Sequence, residues 1–253
     1  MSRKERTIRT EGVVLRHSDW GEADRMLWVY TRALGKVHIL AKGIRKIRSR
    51  KAGHLEPFTL TMMLLAKGRD FWIITQAETI NAYLSLRKDL NRIGHTAYII
   101  ELLERFSNEE EENQALYRLV VETLDRIDRE SEPLMAIRYY ELRLLDLLGY
   151  RPRLFQCIHC GNEIIAEDQF FSIPQGGVVC PRCATQVLSP TPITMETLKY
   201  LRHFQRSSYS EACRAHLTPE INKQIEQLMQ SYLTYFLERG LNTPSFIQQV
   251  KPR

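Results

Sequence analysis

The alternation of apolar and polar side chains along this chain changes character near residue 80. Before that point, short runs of β-branched, aromatic and aliphatic residues recur at 13–15, 26–30, 37–41, 58–65 and 71–75. Two of them keep a period of two, the repeat of a strand with one buried face. In the first, Val37, Ile39 and Ala41 alternate with Lys36, His38 and Lys42; in the second, Phe58, Leu60, Met62 and Leu64 are expected inward, against Thr59, Thr61 and Met63. Gly35 and the Gly68-Arg69-Asp70 segment supply hairpin turns between runs. Five strands within residues 1–80 predict a small closed barrel of the OB type, although an SH3-like barrel carries the same pattern.

Beyond Ile80 the apolar period becomes helical. Ile99, Leu102, Leu103 and Phe106 form one stripe, and Leu116, Leu119, Val120, Leu124 and Ile127 form another. The acidic run Ser107–Asn113 between them reads as a solvated connection. A third helix is expected from Ser131-Glu132-Pro133, with Ile137, Tyr140, Leu144 and Leu148 on its stripe and Gly149 as its stop. Pro190 and Pro192 read as a linker, after which Thr194 and Thr218-Pro219 each start a helix. The expected fold class is therefore α+β. A five-stranded OB-like barrel occupies 1–80 and an all-α domain 81–240, the latter interrupted by a module at 154–188 and followed by a flexible tail at 241–253.

That interrupting module is marked by Cys157 and Cys160, then Cys180 and Cys183. Two C-x2-C pairs separated by 19 residues present four sulfurs at the spacing of a four-thiolate zinc site, so one structural Zn2+ is expected. Rubredoxin-like iron, a disulfide pair and free thiols remain open from spacing alone. Between the pairs, Phe170, Phe171, Ile173, Gly176-Gly177, Val178 and Val179 predict a hairpin that returns the chain to the first pair. His159 is expected not to be a ligand, and Cys213, standing alone, is expected to be a small buried residue.

Charge then separates the two halves. Residues 1–80 hold 16 Lys or Arg against 8 Asp or Glu, while the remainder holds 20 against 22. A front-loaded positive balance is the electrostatic footprint of a polyanion-binding surface. Its densest part is residues 42–51, where Lys42, Arg45, Lys46, Arg48, Arg50 and Lys51 provide six cations. We expect these to track phosphates, with Arg25 and Lys36 extending the patch. Six neutralised phosphates on a single strand correspond to a log–log salt slope of about −4. Trp20, Trp28, Phe58, Phe71 and Trp72 are candidate base-stacking faces, although most are expected to fill the barrel core.

No catalytic constellation of comparable weight is present. Asp19, Glu22 and Asp24 offer a metal-dependent nuclease as an alternative reading, and the cysteine module offers a zinc-ribbon adaptor for protein partners as another. The chain has no signal-type apolar stretch near its start and no apolar run of about 18 residues, so a cytoplasmic protein without membrane association is expected.

Several segments together resemble the RecO family of bacterial DNA-repair proteins. They are Gly21-Glu22-Ala23-Asp24-Arg25, Gly35-Lys36, Ala41-Lys42-Gly43 with the basic loop behind it, Leu55-Glu56-Pro57-Phe58, Glu141-Leu142-Arg143-Leu144-Leu145, Leu148-Gly149-Tyr150-Arg151-Pro152 and the cysteine pairs. The resemblance covers roughly residues 7 to 240. It implies an OB domain, a helical domain and a zinc finger inserted in the latter. It also implies a non-enzymatic recombination mediator that binds single- and double-stranded DNA and anneals complementary strands. Such a protein acts with RecR and helps load RecA onto strands coated by single-strand-binding protein, close to the nucleoid. The family engages the tail of single-strand-binding protein through its helical domain, for which Arg138 and Arg143 are candidate contributors.

Overall fold

A computed structural model describes residues 7–130, 133–237 and 240–250. The chain forms two compact units, one built from the segments Met1–Ser131 and Thr243–Arg253, the other from Glu132–Asn242.

The first unit opens with β1 (Thr7–Trp20), β2 (Asp24–Thr31), β3 (Gly35–Ala41), β4 (Leu60–Lys67) and β5 (Trp72–Asn81). They close into a barrel of order β1-β2-β3-β5-β4, with β1 pairing antiparallel to both β2 and β4 and the circle completed by a parallel β3–β5 pair. This order identifies the OB-like arrangement that the sequence pattern alone left undecided. A register shift between Val14 and Arg16 bends the long β1 so that its first half pairs with β4 and its second half with β2.

The barrel core is aliphatic: Val14, Leu27, Val29, Val37, Ile39, Ala41, Ile44, Leu55, Met63, Leu65 and Ile74 form one buried cluster. The alternation expected for β3 holds, with Val37, Ile39 and Ala41 inward. In β4 the expected phase is inverted. Thr61, Met63 and Leu65 are buried while Met62 and Leu64 are only half-buried. Apolar residues on both faces hid the true phase, and the inward Thr61 is accommodated because its hydroxyl donates to the His54 carbonyl at 2.6 Å.

Two helices, α1 (Leu90–Phe106) and α2 (Gln114–Arg129), belong to this same unit, which differs from a division at residue 80. Specific bonds join them to the barrel. The Lys36 ammonium donates to the carbonyls of Glu104 and Ser107 at 2.6 and 2.5 Å, capping the end of α1, and Asn81 donates to Asp125 on α2 at 3.2 Å. The acidic run is correspondingly anchored rather than free. Glu110 N–H donates to the Lys36 carbonyl, and Gly35 (φ +64°) lies so close to Glu111 that a Cβ there would meet its carbonyl oxygen at 1.9 Å.

In the second unit, α3 (Leu134–Leu147) ends where Gly149 turns at φ +82°, as expected from its sequence. The Ser131-Glu132 part of the expected start signal lies outside the described residues. A small sheet follows, with order β7-β6-β8 for β6 (Gln169–Ser172), β7 (Gly177–Val179) and β8 (Thr191–Ile193). The expected hairpin is β6–β7, pairing Phe170 with Val179 and Phe171 with Val178. The expected Pro190–Pro192 linker instead contributes β8, an edge strand where Pro192 faces no demand for an N–H. Thr194 caps α4 (Met195–Arg206) by accepting from Thr197 N–H at 3.2 Å. A short α5 (Tyr209–Ala212) and α6 (Pro219–Leu237) complete this unit.

The segment expected as a flexible tail carries a helix instead, α7 (Thr243–Val250), packed on α1 of the first unit. Glu101 accepts from the Thr243 N–H and hydroxyl at 2.9 and 2.6 Å, placing a carboxylate at the helix start, where the backbone dipole favours it. Residues 251–253 of that tail lie outside the described residues. No helix among the described residues is long and apolar enough to cross a membrane.

Candidate nucleic-acid interface and metal centre

The four cysteines converge. The sulfurs of Cys157, Cys160, Cys180 and Cys183 all lie within 4.8 Å of one another, forming the sole such group of His, Cys, Asp or Glu among the described residues. The first pair sits in a tight turn in which Gly161, at φ +75°, donates its N–H to the Cys157 carbonyl at 2.9 Å. The second pair spans the start of a 3-10 turn at Pro181–Gln186, with Cys183 N–H donating to the Cys180 carbonyl at 2.9 Å. The β6–β7 hairpin brings the two turns together.

No disulfide joins any of the five cysteines, and four of them gather at one point instead. A regular tetrahedron with metal–sulfur bonds of about 2.3 Å has edges of about 3.8 Å, and Cys160 and Cys180 are 3.9 Å apart. Burial raises the Cys157 thiol, but backbone N–H groups of Cys160, Cys180 and His159 outweigh it and lower the group to about 6. Burial, then the neighbouring Cys180, Cys160 and Cys157 thiols, pushes Cys183 up to about 12. Four crowded sulfurs resist simultaneous ionisation, a conflict that a divalent cation relieves. The residues therefore fit a tetrahedral metal ion closed on all sides by protein. His159 is outside the group, as expected, whereas Cys213 is exposed rather than buried.

On the barrel, the basic loop is rooted by residues of the β1–β2 turn. Asp24 accepts the Gly43 N–H at 2.7 Å, and Arg45 N–H donates to the Ala23 carbonyl at 2.9 Å. Between these bonds Ile44 is buried in the barrel core. The Gly-Glu-Ala-Asp-Arg segment and the Ala-Lys-Gly segment are thus two halves of one joint.

The expected cations fall into three groups. Lys42, Lys46, Arg48 and Arg50 are exposed and form no ion pair among the described residues. Arg25 and Arg45 share Asp19 at 3.3 and 3.4 Å, and Arg25 also approaches Glu56 at 3.5 Å. These contacts are long and partly solvated, so an approaching phosphate can displace them at small cost. Lys36 and Lys51 are different. Both are half-buried and bonded to backbone carbonyls, Lys51 to those of Ile74 and Lys42 at 3.0 and 3.3 Å, and desolvation lowers the pKa of each. Both ammonium groups are thus tied to the scaffold, unlike the four exposed cations of the loop.

The aromatic residues also depart from expectation, because none of the five belongs to the buried core of the barrel. Trp72 packs partly against the core, and Trp28 lies under the Arg16 guanidinium at 3.6 Å. Trp20, at the β1–β2 turn, is 49% exposed and meets Phe71 of the β4–β5 turn edge-on at 6.0 Å. Lys67 and Arg69, also exposed, occupy that second turn. The nuclease reading loses its ligands: Asp24 accepts Gly43 N–H, Asp19 lies between two arginines, and the three carboxylates do not converge. In the helical unit, Arg138 is buried and donates to both oxygens of the buried Glu141 at 2.7 Å, with Glu226 at 3.4 Å. Arg143 donates to the Ser207 carbonyl at 2.6 Å. Arg138 is thereby held in an internal ion pair, while Arg143 stays half-buried. The residue that sequence reading overlooked is Ile47, wholly exposed at the tip of the basic loop. Its signal was a branched aliphatic within a cationic run.

A closed OB-like barrel with a cationic loop, in a chain that also carries a helical unit with a four-thiol centre able to hold a metal ion, defines the fold class. Two family models match the chain: "Recombination protein O N terminal" over residues 1–83 and "Recombination protein O C terminal" over residues 87–244. Among similar proteins, the DNA repair protein RecO of Roseiflexus sp. (strain RS-1) is 37% identical over 248 residues, 98% of this chain and 87% of the relative. That of Dehalococcoides mccartyi (strain CBDB1) is 34% identical over 236 residues, 93% of each chain. That of Pelotomaculum thermopropionicum is 33% identical over 241 residues, 95% of this chain and 93% of the relative. The chain belongs to the RecO family, and with that membership comes a general role as a non-catalytic mediator in DNA repair and recombination.

Proposed function

We propose that the barrel end formed by the β1–β2 turn, the basic loop and the β4–β5 turn binds single- and double-stranded DNA and promotes annealing of complementary strands. The observation that carries this reading is the set of exposed cations with no acidic partner among the described residues, Lys42, Lys46, Arg48 and Arg50, on a loop rooted to the barrel. Arg25 and Arg45 join them once phosphate replaces Asp19 and Glu56. Cations that neutralise two approaching backbones lower their mutual repulsion while leaving base edges free to pair, which is the physical requirement for annealing. Trp20 offers a stacking face for an unpaired base at the same turn as the loop root. Because backbone charge dominates, sequence preference is weak.

Family membership supports the wider assignment. The protein acts in the cytoplasm at the nucleoid, with RecR, and helps load RecA onto DNA coated by single-strand-binding protein, whose tail docks on the helical unit. The four thiolates hold one structural Zn2+, which ties the two cysteine turns together. Its ligands Cys157, Cys160, Cys180 and Cys183 leave no position for substrate.

Annealing of complementary oligonucleotides by the full-length protein tests the reading. We expect acceleration that declines as salt rises and is lost when Lys42, Lys46, Arg48 and Arg50 are changed to Ala. Equal acceleration by this variant would exclude the loop as the annealing surface. Elemental analysis should return one zinc per chain; a red, iron-containing preparation would contradict the zinc assignment.

A further inference from the structure

The basic loop carries an apolar side chain where a purely electrostatic surface has no use for one. Ile47 is exposed to 104% of its reference area, while Ile44, three residues earlier, is 2% exposed within the barrel core. The loop is not a slack tether. Lys46 N–H donates to the Gly43 carbonyl at 3.2 Å, and Ser49 N–H donates to the Lys46 carbonyl at 2.9 Å. The second bond closes a turn over Lys46–Ser49 with Ile47 at its first central position, where proline is the favoured residue. Past the turn, the Lys51 ammonium is fastened to the Ile74 and Lys42 carbonyls, and Leu55 is fully buried. Both ends of the loop are therefore pinned, and Ile47 projects from it between the charged side chains of Lys46 and Arg48.

Scattered exposed aliphatics are ordinary on protein surfaces and need no function. Two features set this one apart: it sits within a rooted turn, and the residues flanking it are cations with no acidic partner among the described residues. The charge complement of such a turn is a polyanion, and a nucleic acid is the polyanion whose interior offers apolar surface between its stacked rings. Isoleucine is among the wedge residues that enter base steps, and its branched Cβ makes it stiff about χ1. From this geometry we infer that Ile47 is a wedge that inserts between adjacent bases of DNA held by the flanking cations. It unstacks one step and presents the separated bases for pairing. The inference rests on the proposed DNA-binding role of the loop and adds to it a contact with bases, independent of salt.

The test uses full-length protein and a single-stranded oligonucleotide with one 2-aminopurine, whose emission rises on unstacking. Affinity and emission are measured from 50 to 400 mM salt for the wild type and for Ile47→Ala, Ile47→Asn and Ile47→Leu. We expect binding of the wild type to raise emission. Ile47→Ala and Ile47→Asn should bind roughly five- to tenfold more weakly at every salt concentration, with an unchanged log–log slope and no rise in emission, while Ile47→Leu retains both. Wild-type affinity and emission in Ile47→Ala would overturn the wedge while leaving the electrostatic reading intact. A changed slope would also overturn it, because the residue would then be acting by placing the cations. Retention of the full salt slope by the Lys42, Lys46, Arg48 and Arg50 variant would defeat the electrostatic reading itself. Anionic phospholipid vesicles provide the remaining arm: vesicle binding lost in Ile47→Ala, with DNA binding unaltered, would assign the side chain to membranes instead.

Discussion

The barrel and the cysteine module solve the same problem, holding loops in place, by opposite means. The barrel buries eleven residues in one cluster, all aliphatic or methionine, and its loops are fastened to that core by Ile44, Leu55 and single hydrogen bonds. The buried cluster of the module comprises Cys157, Val179, Cys183 and Val187, so half of it consists of thiols from the candidate metal centre. A core that small cannot offset the entropy of ordering its turns, whereas a metal cross-link can. The barrel can therefore carry a dense, self-repelling cationic loop without endangering its fold, and the module can keep its shape only while its sulfurs are joined.

Metal removal should produce the largest effect and falls on one side of this comparison. Structural zinc contributes on the order of 10 kcal/mol of apparent folding free energy in small modules. Chelation, or Cys157→Ser with Cys160→Ser, should open residues 154–193 to limited proteolysis while the barrel remains resistant. Equal protection of that segment with and without metal would remove the contrast.

Next in size are changes to buried groups. Leu27→Ala, at a fully buried barrel position, should cost about 2–5 kcal/mol in urea denaturation and leave metal stoichiometry at its original value. Arg138→Met should cost about 3–5 kcal/mol by leaving Glu141 buried without its bidentate partner, and Glu141→Leu in the same chain should restore much of the loss. A cost below about 1 kcal/mol for Arg138→Met would mean that the pair is solvated.

The smallest expected effect concerns acid. The backbone N–H and hydroxyl of Ser208 donate to Glu211 in a capping box and lower its pKa from 4.5. A carboxyl with a depressed folded pKa contributes stability that is present above pH 4.5 and is lost as pH falls through the folded value. Glu211→Gln should flatten the acid limb of the stability profile below pH 4.5 relative to the wild type. An unchanged limb would show that the box does not persist in solution.

Much of this contrast could be read from residue order. The cysteine spacing gave the four-thiol centre, the β6–β7 hairpin was visible in its apolar residues around Gly176-Gly177, and β3 announced its buried face by strict alternation. Four features were hidden for physical reasons. β4 is apolar on both faces, so period alone did not give its phase. Lys36 looked like one more surface cation because its carbonyl partners lie 68 and 71 residues away. The aromatics expected in the barrel core lie outside its aliphatic cluster, Trp72 packing partly against it, because the aliphatic side chains already fill that cluster. The role of Asp24 was likewise invisible until Gly43 was found beside it.

The central claim is that DNA is held at the barrel end by cations on a rooted loop. Its most direct test is the affinity of the full-length protein for single-stranded DNA across a salt titration, compared with the Lys42, Lys46, Arg48 and Arg50 to Ala variant. Four exposed cations correspond to a log–log slope contribution of about −3, or about 50-fold weaker binding between 50 and 200 mM salt. The account predicts that the variant loses most of this slope while its urea midpoint stays within about 0.5 kcal/mol of wild-type stability. A variant that is folded and retains the wild-type slope would contradict it.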